Sequence, residues 1–286
     1  MVFPEDQNAR ESHSPVSAAT AHVPLSIEDI RHARALARIG RSVHYGDSVT
    51  STNSLASQLA RDGAADGTVV IAETQTKGRG RLGRSWVSPP HRNLYLSVVL
   101  RPPLAASAAP LLTLVAGLAV AETVREWTSR AAIKWPNDVL IDGRKVAGIL
   151  TELEAAEGQV SFVILGIGVN LNVAAEDFPL ELRDRAIGLC MAAGDVIDRT
   201  AFTTHLLSRL EERYDQFLRE GFAAIRPLWE GLSCLSGRRV EIDSGGTRHT
   251  GVVIGLGADG SLRLRDTAGQ EVSIVAGDVT VIDGYA

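Results

Sequence analysis

Residues 77–86, KGRGRLGRSW, rule out the fold that their glycines would otherwise point to. Gly78, Gly80 and Gly83 satisfy G-x-G-x-x-G, and the preceding TVVIAE (68–73) reads as a strand. A dinucleotide-binding βαβ unit needs a helix opening at those glycines and an acidic residue about 20 positions further on. Here SWVSPPHRN follows, Pro89 and Pro90 forbid a helix, and no Asp or Glu comes before Glu122. Two readings remain. One is a solvated basic loop. The other is a loop that closes on an anion: glycine lets the backbone approach closely, and Lys77, Arg79, Arg81 and Arg84 supply donors for carboxylate and phosphate oxygens. This positive knot stands in a chain of net charge −5, which argues against a dedicated nucleic-acid binder.

At 286 residues the chain suits one large unit and a small one. Cys190 and Cys234 belong to no C-x-x-C pair, and the scattered histidines form no H-E-x-x-H. A reducing compartment and no fixed protein metal site follow as expectations. The opening residues carry early acids and no apolar core, unlike a secretory signal. The most apolar run, LLTLVAGLAVA (111–121), is about half a membrane span and reads as a buried helix. The expectation is a cytoplasmic protein with no membrane partner.

Residues 1–24, rich in Ser, Ala, Pro and His, are expected to be disordered. Residues 26–39 make one amphipathic helix with Ser26 as N-cap, ended by Gly40. A strand (42–49) precedes Ser51-Thr52-Asn53, which either caps the helix to Arg61 or holds a polar ligand at its N-terminus. Strand 93–101 and a long helix over 107–129 follow, its Gly117 allowing close packing against a sheet. In IKWPNDVLIDGRKVAGILTEL (133–153), Pro136 interrupts a strand, so Lys134–Asp138 should bulge at a sheet edge or site rim. Asp142-Gly143 marks a hairpin, which puts Lys145 on the return strand. Strand 160–172 ends in Gly166, Gly168, Asn170 and Asn172, a small and polar end suited to a ligand lying against backbone. Residues 173–199 read as irregular, and 200–220 and 222–232 as helices. From Ser236, short alternating strands joined by Gly and Asp turns suggest a small β-barrel of SH3-like size.

With STN (51–53), GRGRLGRSW (78–86), KWPND (134–138), GRKVAGIL (143–150) and LGIGVNLN (165–172) in this order, the chain resembles the biotin–protein ligases. The resemblance covers roughly residues 42–284 and implies an α+β fold. A mixed or antiparallel central sheet flanked by helices would form a class II synthetase-like catalytic domain (25–233). A C-terminal SH3-like β-barrel (236–284) would follow. The larger members that double as repressors carry an N-terminal winged helix, whereas one helix is read here. That implies the single-function form, with no DNA partner.

The family reaction joins biotin to ATP as biotinyl-5′-AMP, with Mg2+ on the phosphates, and then transfers it to a lysine of a biotin carboxyl carrier protein or the biotinyl domain of a carboxylase. By this resemblance Ser51, Thr52, Asn53 and Gln75 bond the biotin head. Arg79, Gly80 and Arg81 cover its carboxylate and the phosphate, and Lys145 bridges the two. Arg79, Arg81 and Lys145 are the catalytic cations. Arg81, Arg84, Trp86, Lys134, Asn137 and Asn170 are assigned to the nucleotide. Asp138 either orients or deprotonates the acceptor amine, or makes a structural bond. The resemblance allows a monomer or a homodimer. Lipoate–protein ligases share GRKVAGIL-like segments but carry a GGG motif with a His-Asp pair that is missing here. A biotin-responsive regulator and an inactive nucleotide-binding scaffold are the remaining alternatives.

Overall fold

The computed structural model describes residues 24–33 and 37–285, so the expectation for the tail falls, apart from Pro24, outside the described residues. Ile27–His32 (α1) is capped by Ser26, whose Oγ accepts from Asp29 N. The helix expected over 26–39 is therefore shorter. Ala33 turns to extended backbone, and the N–H groups of Ala37, Arg38 and Ile39 all point at Glu211 Oε2, at 3.2, 3.3 and 3.3 Å. A carboxylate has taken the donors that a continuing helix would have used.

Val43–Val49 (β1) and Val69–Gln75 (β2) run parallel, joined by the helix Thr52–Arg61 (α2). Leu94–Leu100 (β3), Ala131–Lys134 (β4), Asp138–Ile141 (β5), Arg144–Ala156 (β6) and Gln159–Val169 (β7) add antiparallel. The order across the sheet is β1-β2-β3-β7-β6-β5-β4. Strand β3 is buried along its whole length, as a central strand must be.

Ala56 and Ala60 of α2 pack on Val70, Val99, Phe162 and Ile164 on one face. The other face is covered by Leu111–Val124 (α3) and, after a short helix Leu189–Ala193 (α4), by Arg199–Glu220 (α5) and Phe222–Gly231 (α6). The helix expected over 107–129 begins later, with Pro110 at its N-cap. The stretch Ala106–Val124 is long and apolar enough by length and composition to cross a membrane, and most of it is buried in the core. A Cβ on Gly117 would lie 3.8 Å from both Ile133 and Trp229, an ordinary contact, so the packing there does not require glycine. The stretch read as irregular is pinned by Asn172. Its buried side-chain amide exchanges two 2.8 Å hydrogen bonds with the backbone of Ile197.

KWPND forms a tight turn rather than a bulge. The Trp135–Pro136 peptide is cis, and Lys134 pairs directly with Asp138 across β4 and β5. Asp142 and Gly143 then turn the chain into β6 with φ of 49° and 76°, the positive values that such a two-residue hairpin demands.

Arg239–Ser244 (β8), Thr247–Leu256 (β9), Leu262–Arg265 (β10), Glu271–Ile274 (β11) and Asp278–Val281 (β12) form a second, antiparallel sheet ordered β11-β10-β9-β8-β12. Its inward residues, among them Val240, Ile242 and Leu262, join the same apolar cluster as the first sheet. Trp135 is buried at the junction and donates from Nε1 to Gly260 O at 3.0 Å.

At the end of β2, Glu73 is 2% exposed and Arg199 fully buried. The guanidinium spans both carboxylate oxygens at 3.3 and 2.7 Å and donates to Asn93 O, tying β2, β3 and α5 together. Removing one partner strands the other charge in the core. Glu73→Gln is therefore expected to cost about 3–5 kcal/mol in a urea titration. A loss below about 1 kcal/mol, the range of an exposed pair, would contradict this account.

Candidate active site

Strands β6 and β7 pair Gly148 with Gly168 and Leu150 with Gly166. A Cβ on Gly166 would run into Asn53 Oδ1, and one on Gly168 would come within 2.6 Å of the Trp86 ring. At Gly148 a Cβ would lie 2.9 Å from Lys145 Cε and 3.0 Å from Trp86. Three side chains thus rest on bare sheet backbone, around a recess.

Ser51, Thr52 and Asn53 form one wall and are all nearly buried. Ser51 is the N-cap of α2 by backbone geometry, yet its side chain makes no capping bond. Gln75, at the end of β2, caps the helix instead: its Oε1 accepts from Thr52 N at 2.9 Å and from Thr52 Oγ1 at 3.1 Å. Behind them Ser97 Oγ lies 2.8 Å from Thr52 Oγ1 and 2.6 Å from Asn53 Oδ1. Sequence reading passed over Ser97. Its signal was a serine in the apolar run of β3.

The arginine loop forms the opposite rim. It is held as a small hairpin by bonds from Gly80 N to Arg84 O and from Trp86 N to Gly78 O. Three side chains then tie it to three places. Arg79 reaches Glu152 at 2.9 Å, Arg81 reaches Asn137 Oδ1 at 2.8 Å, and Arg84 pairs with Asp278 of the second sheet. Asn137 is fixed in turn by donating to Ile149 O. The Trp86 ring covers Gly148 and Gly168, and its buried indole N–H faces no acceptor among the described residues.

Lys145 Nζ lies 2.6 Å from Asp138 Oδ1 and 5.4 Å over the Trp86 ring. Its backbone is bracketed by Arg185 and Ile187, which fixes the start of β6. Lys134 sits over the Tyr285 ring at 5.8 Å, and burial holds its ammonium below the ordinary lysine range, with Asp138 opposing. Asn170 donates to Lys145 O at 3.4 Å.

Of the residues singled out in the sequence, Ser51, Thr52, Asn53, Gln75, Arg79, Gly80, Arg81, Trp86, Asn137 and Lys145 all line the recess. Arg84, Lys134, Asp138 and Asn170 do not, although Asp138 and Asn170 touch Lys145. Asn172, read as part of the same polar strand end, is turned to a structural task. The site therefore brings cations, a hydrogen-bonding wall and an aromatic face to one flat floor.

The profile of the Biotin/lipoate A/B protein ligase family matches residues 45–170. The bifunctional ligase/repressor BirA of Bacillus subtilis (strain 168) is 39% identical over 246 residues, covering 86% of this chain and 76% of the relative. The biotin--[acetyl-CoA-carboxylase] ligase of Paracoccus denitrificans is 36% identical over 226 residues, 78% of this chain and 93% of that one. Among solved structures, a biotin protein ligase from Aquifex aeolicus in complex with biotin and ATP aligns with a TM-score of 0.72 and 31% identity. That alignment covers 84% of this chain and 98% of the other.

The bare floor generates a direct test. Gly166→Ala forces its methyl onto the Asn53 amide and is expected to cost about 1–3 kcal/mol by overpacking. In Gly231→Ala the new methyl meets nothing within 4 Å and alanine is the better helix former, so its thermal midpoint should not fall below the wild type. Equal midpoints for all three proteins would show that Asn53 yields freely.

Proposed function

The chain belongs to the biotin/lipoate A/B protein ligase family, and on that premise we propose that it activates biotin with ATP and transfers the biotinyl group to a lysine of a biotin carboxyl carrier protein or carboxylase biotinyl domain. One observation carries the reading. Three motifs distant in the chain (Ser51–Asn53, the arginine loop and the block holding Asn137 and Lys145) meet over a single glycine floor. The relatives named for biotin chemistry favour biotin over lipoate.

In the first step a biotin carboxylate oxygen attacks the α-phosphorus of ATP, the bond to the β-phosphate oxygen breaks, and pyrophosphate leaves. Two anions must approach. At about 4 Å their repulsion is roughly 4 kcal/mol at an effective dielectric near 20. Arg79, Arg81 and Lys145 offset it and stabilise charge developing on phosphorus. Arg81 bonds a neutral amide, so its charge is available to an incoming anion. Lys145 and Arg84 are paired with Asp138 and Asp278, which substrate oxygens must displace, whereas Arg79 meets Glu152 through one nitrogen and keeps its other N–H groups for the substrate. Ser51, Thr52, Asn53 and Gln75 take the biotin head, Gly80 covers its carboxylate, and Trp86 packs on adenine. Arg84, Lys134, Asn137 and Asn170 serve the nucleotide from the rim.

In the second step the acceptor amine attacks the acyl carbon, the bond to AMP breaks, and the amine gives up a proton as the amide forms. Asp138 is freed when Lys145 moves to phosphate, and it then orients or deprotonates that amine. No side-chain nucleophile is required, since the acyl-adenylate is already activated. Mg2+ would enter with ATP and offset charge on its phosphates, with no protein side chain assigned to hold it. The catalytic domain spans 25–233 in this reading and has the class II synthetase-like form. The second sheet is an SH3-like barrel (236–284), and the reaction is cytoplasmic.

Transfer of labelled biotin from Mg-ATP and biotin to a purified carrier domain tests the proposal. Lys145→Ala and Arg81→Ala should each lower kcat/KM by about 10²–10³. Wild type that ignores biotin but transfers lipoate would overturn the substrate. Variants as active as wild type would overturn the site.

A further inference from the structure

The face of β6 that carries Gly148 and Leu150 continues with Glu152 and Glu154, opposite Ile164 and Phe162 of β7. A second hollow lies on this continuation, flanked by Ser54 and Ser57 of α2 and by the ion-paired Arg61 and Glu154. Arg79 lines both hollows, and the Arg79–Glu152–Asn53 bridge stands where they meet. A single oxygen, Glu152 Oε2, accepts from Asn53 Nδ2 at 2.7 Å and from Arg79 at 2.9 Å.

The consequence for Asn53 is chemical. Its amide nitrogen is committed to Glu152 and Leu150 O, so its oxygen is turned to Ser97 and the Gly166 floor. A side-chain amide can present either end, and its partners decide which. Glu152 accepts only, so it forces Asn53 to offer an acceptor to the recess. The same oxygen carries the charge that holds Arg79, linking the polarity of the buried wall to the seat of the arginine loop.

We infer that Glu152 is a positioning residue for the proposed reaction, fixing Asn53 as an acceptor toward the N–H groups of the ligand's cyclic urea and seating the arginine loop through Arg79. This rests on the biotin reading above. It separates two effects that substitution can resolve. Glutamine keeps an acceptor for Asn53 but loses the charge for Arg79, whereas alanine loses both.

The test measures the KM for biotin, kcat, and the slowing by biotin of tryptic cleavage within the arginine loop, alongside thermal midpoints. In Glu152→Ala, KM should rise about tenfold with kcat changed less than about threefold, and biotin should no longer protect the loop. In Glu152→Gln, KM should stay within about threefold of wild type while protection is reduced. Wild-type KM and protection in the alanine variant overturn the inference, as does a KM in the glutamine variant as high as in the alanine one. Should alanine prevent folding, full loop protection in Glu152→Gln is enough to overturn it. A wild type that transfers no biotin fails the reading beneath and takes this inference with it.

Discussion

The site depends on one steric constraint: at residues 148, 166 and 168 two adjacent strands must carry no side chain. A sheet surface is ordinarily a layer of Cβ atoms with their substituents. Here that layer is missing over a small area, and Asn53, Trp86 and Lys145 lie in the space it vacates. Each comes from a different part of the chain, so the floor is what makes three separate segments one site. Its rigidity follows from position. β7 lies between β3 and β6, and β3 is buried throughout.

Around this floor the charges are arranged in opposed pairs. Lys145 faces Asp138, Arg79 faces Glu152 and Arg84 faces Asp278, while Arg81 alone of this set leans on a neutral amide. The Lys145 and Arg84 pairs are partly solvated and exchangeable for a substrate oxygen, while Glu152 is also anchored by Asn53. Glu73 and Arg199 behave oppositely. Buried and bidentate, they form a fixed joint beneath Gln75 rather than a contact to be traded.

Much of this was legible because local chemistry leaves local marks. The Asp142-Gly143 turn has the backbone its residue pair demands, and Lys145 follows on the return strand. The small, polar end of β7 announced a bare surface, although Asn172 serves Ile197 instead. What could not be read depended on partners far away in the chain. Beyond the first helix, Ala37, Arg38 and Ile39 give their N–H groups to Glu211, from more than 170 residues off. Lys134 to Asp138 looked like a bulge because proline forbids a ladder bond, but the chain turns tightly there and pairs Lys134 with Asp138. Ser97 and Glu152 sit in ordinary strand sequence. Only the register of β3, β6 and β7 reveals what they touch.

Trp135 carries a consequence beyond its place in KWPND. Its flanking residues belong to the site, yet its own indole is sealed against Gly260, and the apolar cluster there runs unbroken from one sheet into the other. Excising the last fifty residues would therefore flay the larger body, baring Trp135 beside the very turn that sets Asn137 and Asp138. The two sheets should melt as one cooperative block, and heat should erase the binding floor and the C-terminal strands at a single temperature.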